Sequence, residues 1–247
     1  MKILLTILLS LLFTGICTAM PDTAGIPASK ELEPTEDERH YVFSSRSVET
    51  TRFNGSIGAS LTILPQPLTE YPAPAPMVDI RWRLAFPIGL EGYGRLGSNI
   101  ATSIIKGGLL YAADVGPATL GVGYSISYIY GNLTFIDGFN TSQHRWLNQP
   151  MVCTSMQFDK VTLSARVELE FLTSLEQRIE DQVVASNANE FTGASLTIVL
   201  EQPFWHRTHV LLGVTFSSST SPYQAWFLYN TFEDRLFSTE FFVGFIL

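Results

Sequence analysis

The chain lacks most of what would hold together a small secreted domain. It has two cysteines, Cys17 and Cys153, and Cys17 lies in an N-terminal leader. No internal disulfide is then possible, which excludes a disulfide-stapled scaffold. Charged residues make up only 15%, against a usual share of about 25%. The four histidines are scattered and match no metal-ligand spacing with Cys153, so no metal is expected. "GLEGYG", Gly89 to Gly94, lacks the strand-to-helix setting of a phosphate loop, and no cofactor is expected. Helical periodicity is missing, except within "SLEQRIEDQVV". Past the leader, no apolar run approaches the roughly 18 residues of a spanning helix.

Lys2, the apolar "ILLTILLSLLF" and the small residues ending at Ala19 have the order of a secretory signal peptide, assigned to residues 1–19. Its removal leaves 14 Lys and Arg against 23 Asp and Glu, a net charge of −9, and so sets nucleic acid aside as a partner. Residues 20–50 contain "PDTAGIPASKELEPTEDERH" at 21–40, which is rich in proline and acid and free of aromatics. Such a segment cannot bury a core, and 20–50 is expected to be a disordered lead-in.

From residue 51 to 247 the pattern is strict alternation. In "KVTLSARVELEF" Val161, Leu163, Ala165, Val167, Leu169 and Phe171 alternate with Thr162, Ser164, Arg166, Glu168 and Glu170. Phe53, Ile57, Ala59, Leu61 and Ile63 do the same, as do Val78, Ile80, Trp82, Leu84 and Phe86 around Asp79, Arg81 and Arg83. Period two means strands with one apolar and one polar face. Ten spans follow: 52–64, 77–87, 88–97, 101–113, 117–130, 150–158, 160–172, 191–201, 209–218 and 235–247. Short turns near 87, 114, 159 and 202–208 alternate with long connections at 65–76, 131–149 and 173–190. Counts of 8–12 strands remain open. "YVFSSRSV" and "YQAWFLYN" make a twelve-stranded alternative; in the ten-stranded reading the second is an extension of an outer loop.

The runs are long enough, at about 9–11 residues, to cross a bilayer on a tilt. Aromatics gather at strand ends, as interfacial girdles require, and lipid tolerates only a sheet that closes on itself. The expected fold is therefore an all-β, antiparallel transmembrane barrel of about ten strands. In this pattern the chain resembles the bacterial outer-membrane β-barrel class over residues 51–247. The resemblance implies an outer-membrane location, outer-membrane lipid around the barrel, and recognition of the last strand by barrel-insertion machinery. That strand ends "FFVGFIL", with Val243, Phe245 and Leu247 alternating; its final residue is Leu where the class typically has an aromatic.

The lumen face then carries Asp79, Arg81, Arg83, Glu91, Arg95, Arg166, Glu168, Glu170 and Glu240. These form a salt-bridge network filling a small barrel or, alternatively, the filter of a narrow pore. Arg81, Arg83 and Arg166 against Glu168 and Glu170 are the expected centre. Lys106 is compatible with either face. The outer loops carry Tyr71, Phe135, Phe139, Trp146, Tyr223 and Trp226 for contact with partners or surface lipid. Catalysis would need a base beside a nucleophile; Ser142 and His144, with Asp137 near in sequence, are the best such set. The function read from sequence is a structural or surface-interaction outer-membrane barrel. A narrow channel and a secreted soluble barrel with an apolar ligand are the alternatives.

Overall fold

The computed structural model describes residues 41–46, 48, 50–69, 71–134, 140–158, 160–205, 208–228 and 233–247, the side chain of residue 205 excepted. The strands are β1 (Arg52–Ile63), β2 (Pro74–Ala85), β3 (Leu90–Ser98), β4 (Thr102–Val115), β5 (Ala118–Asn132), β6 (Thr141–Phe158), β7 (Val161–Ile179), β8 (Gln182–Asn187), β9 (Glu190–Trp205), β10 (Thr208–Ser219) and β11 (Leu236–Ile246). One short helix, α1 (Gln66–Thr69), sits between β1 and β2. Each barrel strand pairs antiparallel with its sequence neighbours, β7 passing over β8 to pair with β9. The pairing of β1 with β11 makes the ladder circular. Ten strands close the barrel, and β8 stands outside the ring, paired to the far end of β7.

Alternation becomes two faces. Phe53, Ile80, Leu109, Val122, Ile126, Val152, Val167, Leu212 and Phe241 are exposed on the outer wall. Asn54, Ser60, Asp79, Arg83, Ser125, Ser164, Glu168 and Glu240 are buried within the barrel. A soluble barrel holding an apolar ligand needs the reverse arrangement. A wall of this kind set in a bilayer has no water along it, so every ladder N–H and C=O must be paired inside the sheet, and closure achieves this.

The ends differ. At one end the connections are tight: β4 passes to β5 through Gly116 and Pro117, with Gly116 at φ +62, a left-handed conformation that glycine adopts without a Cβ clash. At the other end β6, β7 and β8 run on past the ring. β7 continues from Leu172, where β9 begins, to Ile179, roughly 20 Å along the strand. The expected ten spans all appear. The expected loops 131–149 and 173–190 are largely this projecting sheet instead, because β6 and β7 pair along their full lengths. "SLEQRIEDQVV" is a hairpin, turned by Glu180 at φ +53, and not a helix.

Val122 lies outward among Tyr111 and Val152 of the neighbouring strands. Val122→Arg is expected to cost about 2–4 kcal/mol in reversible urea unfolding from lipid vesicles. A negligible change would mean that this wall does not meet lipid.

Candidate functional site: two stoppers and a charged chamber

Six residues of the expected lead-in enter the barrel. Tyr41, Val42, Phe43, Ser44 and Ser45 are buried at the tight-turn end, and Arg46 is partly buried. Composition placed this stretch outside any core. Residues 20–40 lie outside the described residues, so the correction concerns Tyr41–Arg46. "YVFSSRSV" is not an added strand. Its N-terminal half is a turn of chain wrapped around one carboxylate. Glu201 is fully buried and accepts hydrogen bonds from three successive backbone amides: Val42 at 2.7 Å, Phe43 at 2.9 Å and Ser44 at 2.8 Å. Asn54 Nδ2 donates to the Tyr41 carbonyl at 2.7 Å, Arg83 donates to the Arg46 carbonyl at 2.6 Å, and Ser45 N donates to Ser155 Oγ at 3.2 Å. Val42 and Phe43 pack with Val199, Leu211, Phe242 and Ile246. Those four barrel residues are hydrophobes at inward positions that elsewhere carry polar or small side chains, and Val42 and Phe43 cover them.

A second stopper fills the other end. The segment after β10 folds back inside as a single 3-10 turn, Tyr223–Ala225. Gln224 Nε2 donates to Thr62 Oγ1 at 2.9 Å and Trp226 Nε1 donates to Thr102 Oγ1 at 3.0 Å. A guanidinium nitrogen of the buried Arg145 donates to the Ser221 carbonyl. The indole of Trp226 lies directly on Gly131, where a Cβ would come within 2.2 Å of the ring. Tyr223 donates to Glu240 at 3.1 Å and packs on Met77, Ile104, Ile129, Leu147, Leu172 and Leu175. Burial, with the Glu240 carboxylate beside it, pushes the Tyr223 phenol up to about 12.

Between the stoppers is a chamber of about 110 Å³, lined among others by Arg81, Arg95, Lys106, Arg166, Glu168 and Glu170. All nine lumen charges expected from sequence face inward, but their pairing differs from expectation. Arg81 bonds Asp79 at 2.7 Å, and Arg95 bridges Asp79, at 2.8 Å, and Glu240. Arg83 makes a two-bond contact with Glu91, at 2.5 and 3.0 Å. Glu168 is taken by Lys106, 2.7 Å from both oxygens. Arg166 bonds neither glutamate; its guanidinium lies over the Phe43 ring at 4.0 Å and the Tyr93 ring at 4.7 Å. Sequence reasoning missed Glu201, Arg145 and Phe43. The readable signal was the runs of three apolar residues at Val210–Leu211–Leu212 and Phe241–Phe242–Val243, which place a hydrophobe on the lumen side.

The loop aromatics separate into three groups. Phe135 and Phe139 lie outside the described residues. Tyr71 is exposed in the β1–β2 connection, and Trp146 lies on the outer wall with its ring 4.7 Å from that of Tyr128. Tyr223 and Trp226 belong to the lumen stopper, because the segment turns inward to cover the apolar lining. His144 does not address Ser142: its Nδ1 is bonded to the Tyr128 hydroxyl at 2.6 Å, and Asp137 lies outside the described residues.

A circular antiparallel ladder, an apolar outer wall, a charged filled lumen, and tight turns opposite long projections define a closed ten-stranded β-barrel with the faces of a transmembrane barrel. No protein-family model matches the chain, and no curated protein matches it. Similar solved structures include Neisserial surface protein A, 10% identical, covering 79% of this chain and 96% of that one, with a TM-score of 0.35. The outer-membrane protease OmpT from Escherichia coli is 8% identical, covering 82% and 98%, with a TM-score of 0.43. The translocator domain of autotransporter NalP from Neisseria meningitidis is 12% identical, covering 81% and 89%, with a TM-score of 0.40. Likeness at this level carries no argument about activity.

The Arg83–Glu91 pair is almost fully enclosed. Removing one partner leaves the other charged and unpaired, so Arg83→Met is expected to cost about 3–5 kcal/mol. The double change Arg83→Met with Glu91→Met should recover most of that loss in the same urea titration. Equal losses for the single and double variants would contradict the pairing.

Proposed function

We propose that the protein is an outer-membrane barrel, tight turns toward the periplasm, that acts through its projecting end at the cell surface and does not form an open pore. The observation that carries this reading is the β6–β7–β8 sheet standing on a barrel stopped at both ends. Ile179, Val183 and Val184 are exposed at its tip, well beyond the ring. Apolar side chains raised that far from the lipid-facing wall suit a partner's surface better than bulk water. Tyr71 extends the same end. Outer-membrane lipid covers the wall, and the last strand, with Val243, Phe245 and Leu247 exposed, is the segment that insertion machinery reads.

Two measurements test the reading. A short epitope inserted after Asp181, in the β7–β8 turn, should be bound by antibody on intact cells; binding only after permeabilisation would reverse the orientation. The full chain in a planar bilayer should give no unitary current steps. Steady steps in the unmodified protein would replace this reading with that of a narrow channel.

A further inference from the structure

We propose that the chamber is a binding site for a small anion, with Arg166 as its cationic anchor and Tyr41–Arg46 as the door that admits the anion from the tight-turn end. The inference stands apart from the surface role, since it concerns the lumen alone.

Arg166 is more than nine-tenths buried and lines the chamber. Its guanidinium makes no hydrogen bond to any described residue, and its Nε is buried without a partner. The carboxylates within its electrostatic reach are committed elsewhere: Glu168 to Lys106 and Glu91 to Arg83. Glu170 lies beyond Glu168 toward the projecting end. What Arg166 has is two ring faces, which attract its charge but leave its N–H donors without oxygen acceptors. A desolvated cation in that state gains from any anion able to reach it. Across the adjoining strands Arg166 pairs in register with Cys153 on one side and Thr197 on the other. The volume holds roughly three to four water molecules. That admits an inorganic anion or a short carboxylate and excludes a nucleotide.

The door lies over this spot. Phe43 covers Arg166, and Ser45 Oγ is 3.4 Å from Cys153 Sγ. The segment forms no strand and is held by the Glu201 contacts, a few side-chain bonds and its apolar packing. It can leave without opening a rung of the barrel ladder, as a local unfolding event.

Cys153 reports on both halves of the proposal. In a Cys17→Ser background it is the chain's one thiol. The full protein in lipid vesicles is treated with methanethiosulfonate reagents of matched size that are anionic, neutral or cationic. Glu201→Ala and Phe43→Ala should each speed labelling by the neutral reagent on the order of tenfold. In both variants the anionic reagent should outpace the cationic one, and inorganic phosphate should slow labelling. Arg166→Gln should erase the charge preference and the phosphate effect while leaving neutral labelling as fast. Phe43 belongs to no barrel strand, so Phe43→Ala leaves the ladder itself intact, and a compact cold band on SDS gels confirms that each variant is folded. Unchanged neutral rates in both door variants would overturn the door. Faster rates with no anionic preference would overturn the anion site.

Discussion

Everything in this molecule depends on the absence of hydrogen-bond partners along its outer wall. A sheet in hydrocarbon must pair each backbone N–H and C=O within itself. Joining β1 to β11 and β6 to β7 satisfies that requirement for ten strands at once. Closure fixes the inward and outward faces, and a one-residue slip in any strand would put its charges into lipid. It also fixes the girth. An eight-stranded barrel is just narrow enough for side chains to fill. Ten strands leave space over, and the two stoppers occupy it.

The lumen chemistry follows from that enclosure. A charge sealed among strands must find a partner or remain costly. Arg83 finds Glu91, Lys106 finds Glu168, and Arg95 spans Asp79 and Glu240. Glu201 is answered differently: its oxygens are met by three amides of a segment with no barrel strand of its own. Val42 and Phe43 of the same stretch cover Val199, Leu211, Phe242 and Ile246. One short stretch therefore serves both a buried anion and a buried apolar patch, which explains why the inward pattern fails at those four positions. At the opposite end Trp226 fits only because Gly131 offers a bare backbone beneath it.

Strand positions, faces and the inward direction of nine charges were legible because alternation is a local property that lipid enforces at every residue. The partners of those charges were not. Lys106 and Glu168 meet across the lumen from β4 and β7, a distance that no spacing within one strand encodes. "YVFSSRSV" and "YQAWFLYN" had the apolar content of strands, yet neither could join a ring already complete at ten. Tyr41–Ser45 of the first and Tyr223–Trp226 of the second went to the lumen instead. The projecting hairpin was hidden because its apolar residues, Val183, Val184 and Ala185, are consecutive and do not alternate; the strand is held by pairing with β7.

The central claim is a closed barrel with its apolar face outward in a membrane. The most direct test is electrophoretic mobility in SDS of detergent-extracted protein, unheated against boiled. A membrane barrel is expected in the membrane fraction, running as a compact fast species when cold and converting to the mobility of the unfolded chain on boiling. Identical mobility before and after heating, with the protein released in soluble form by osmotic shock, would contradict it.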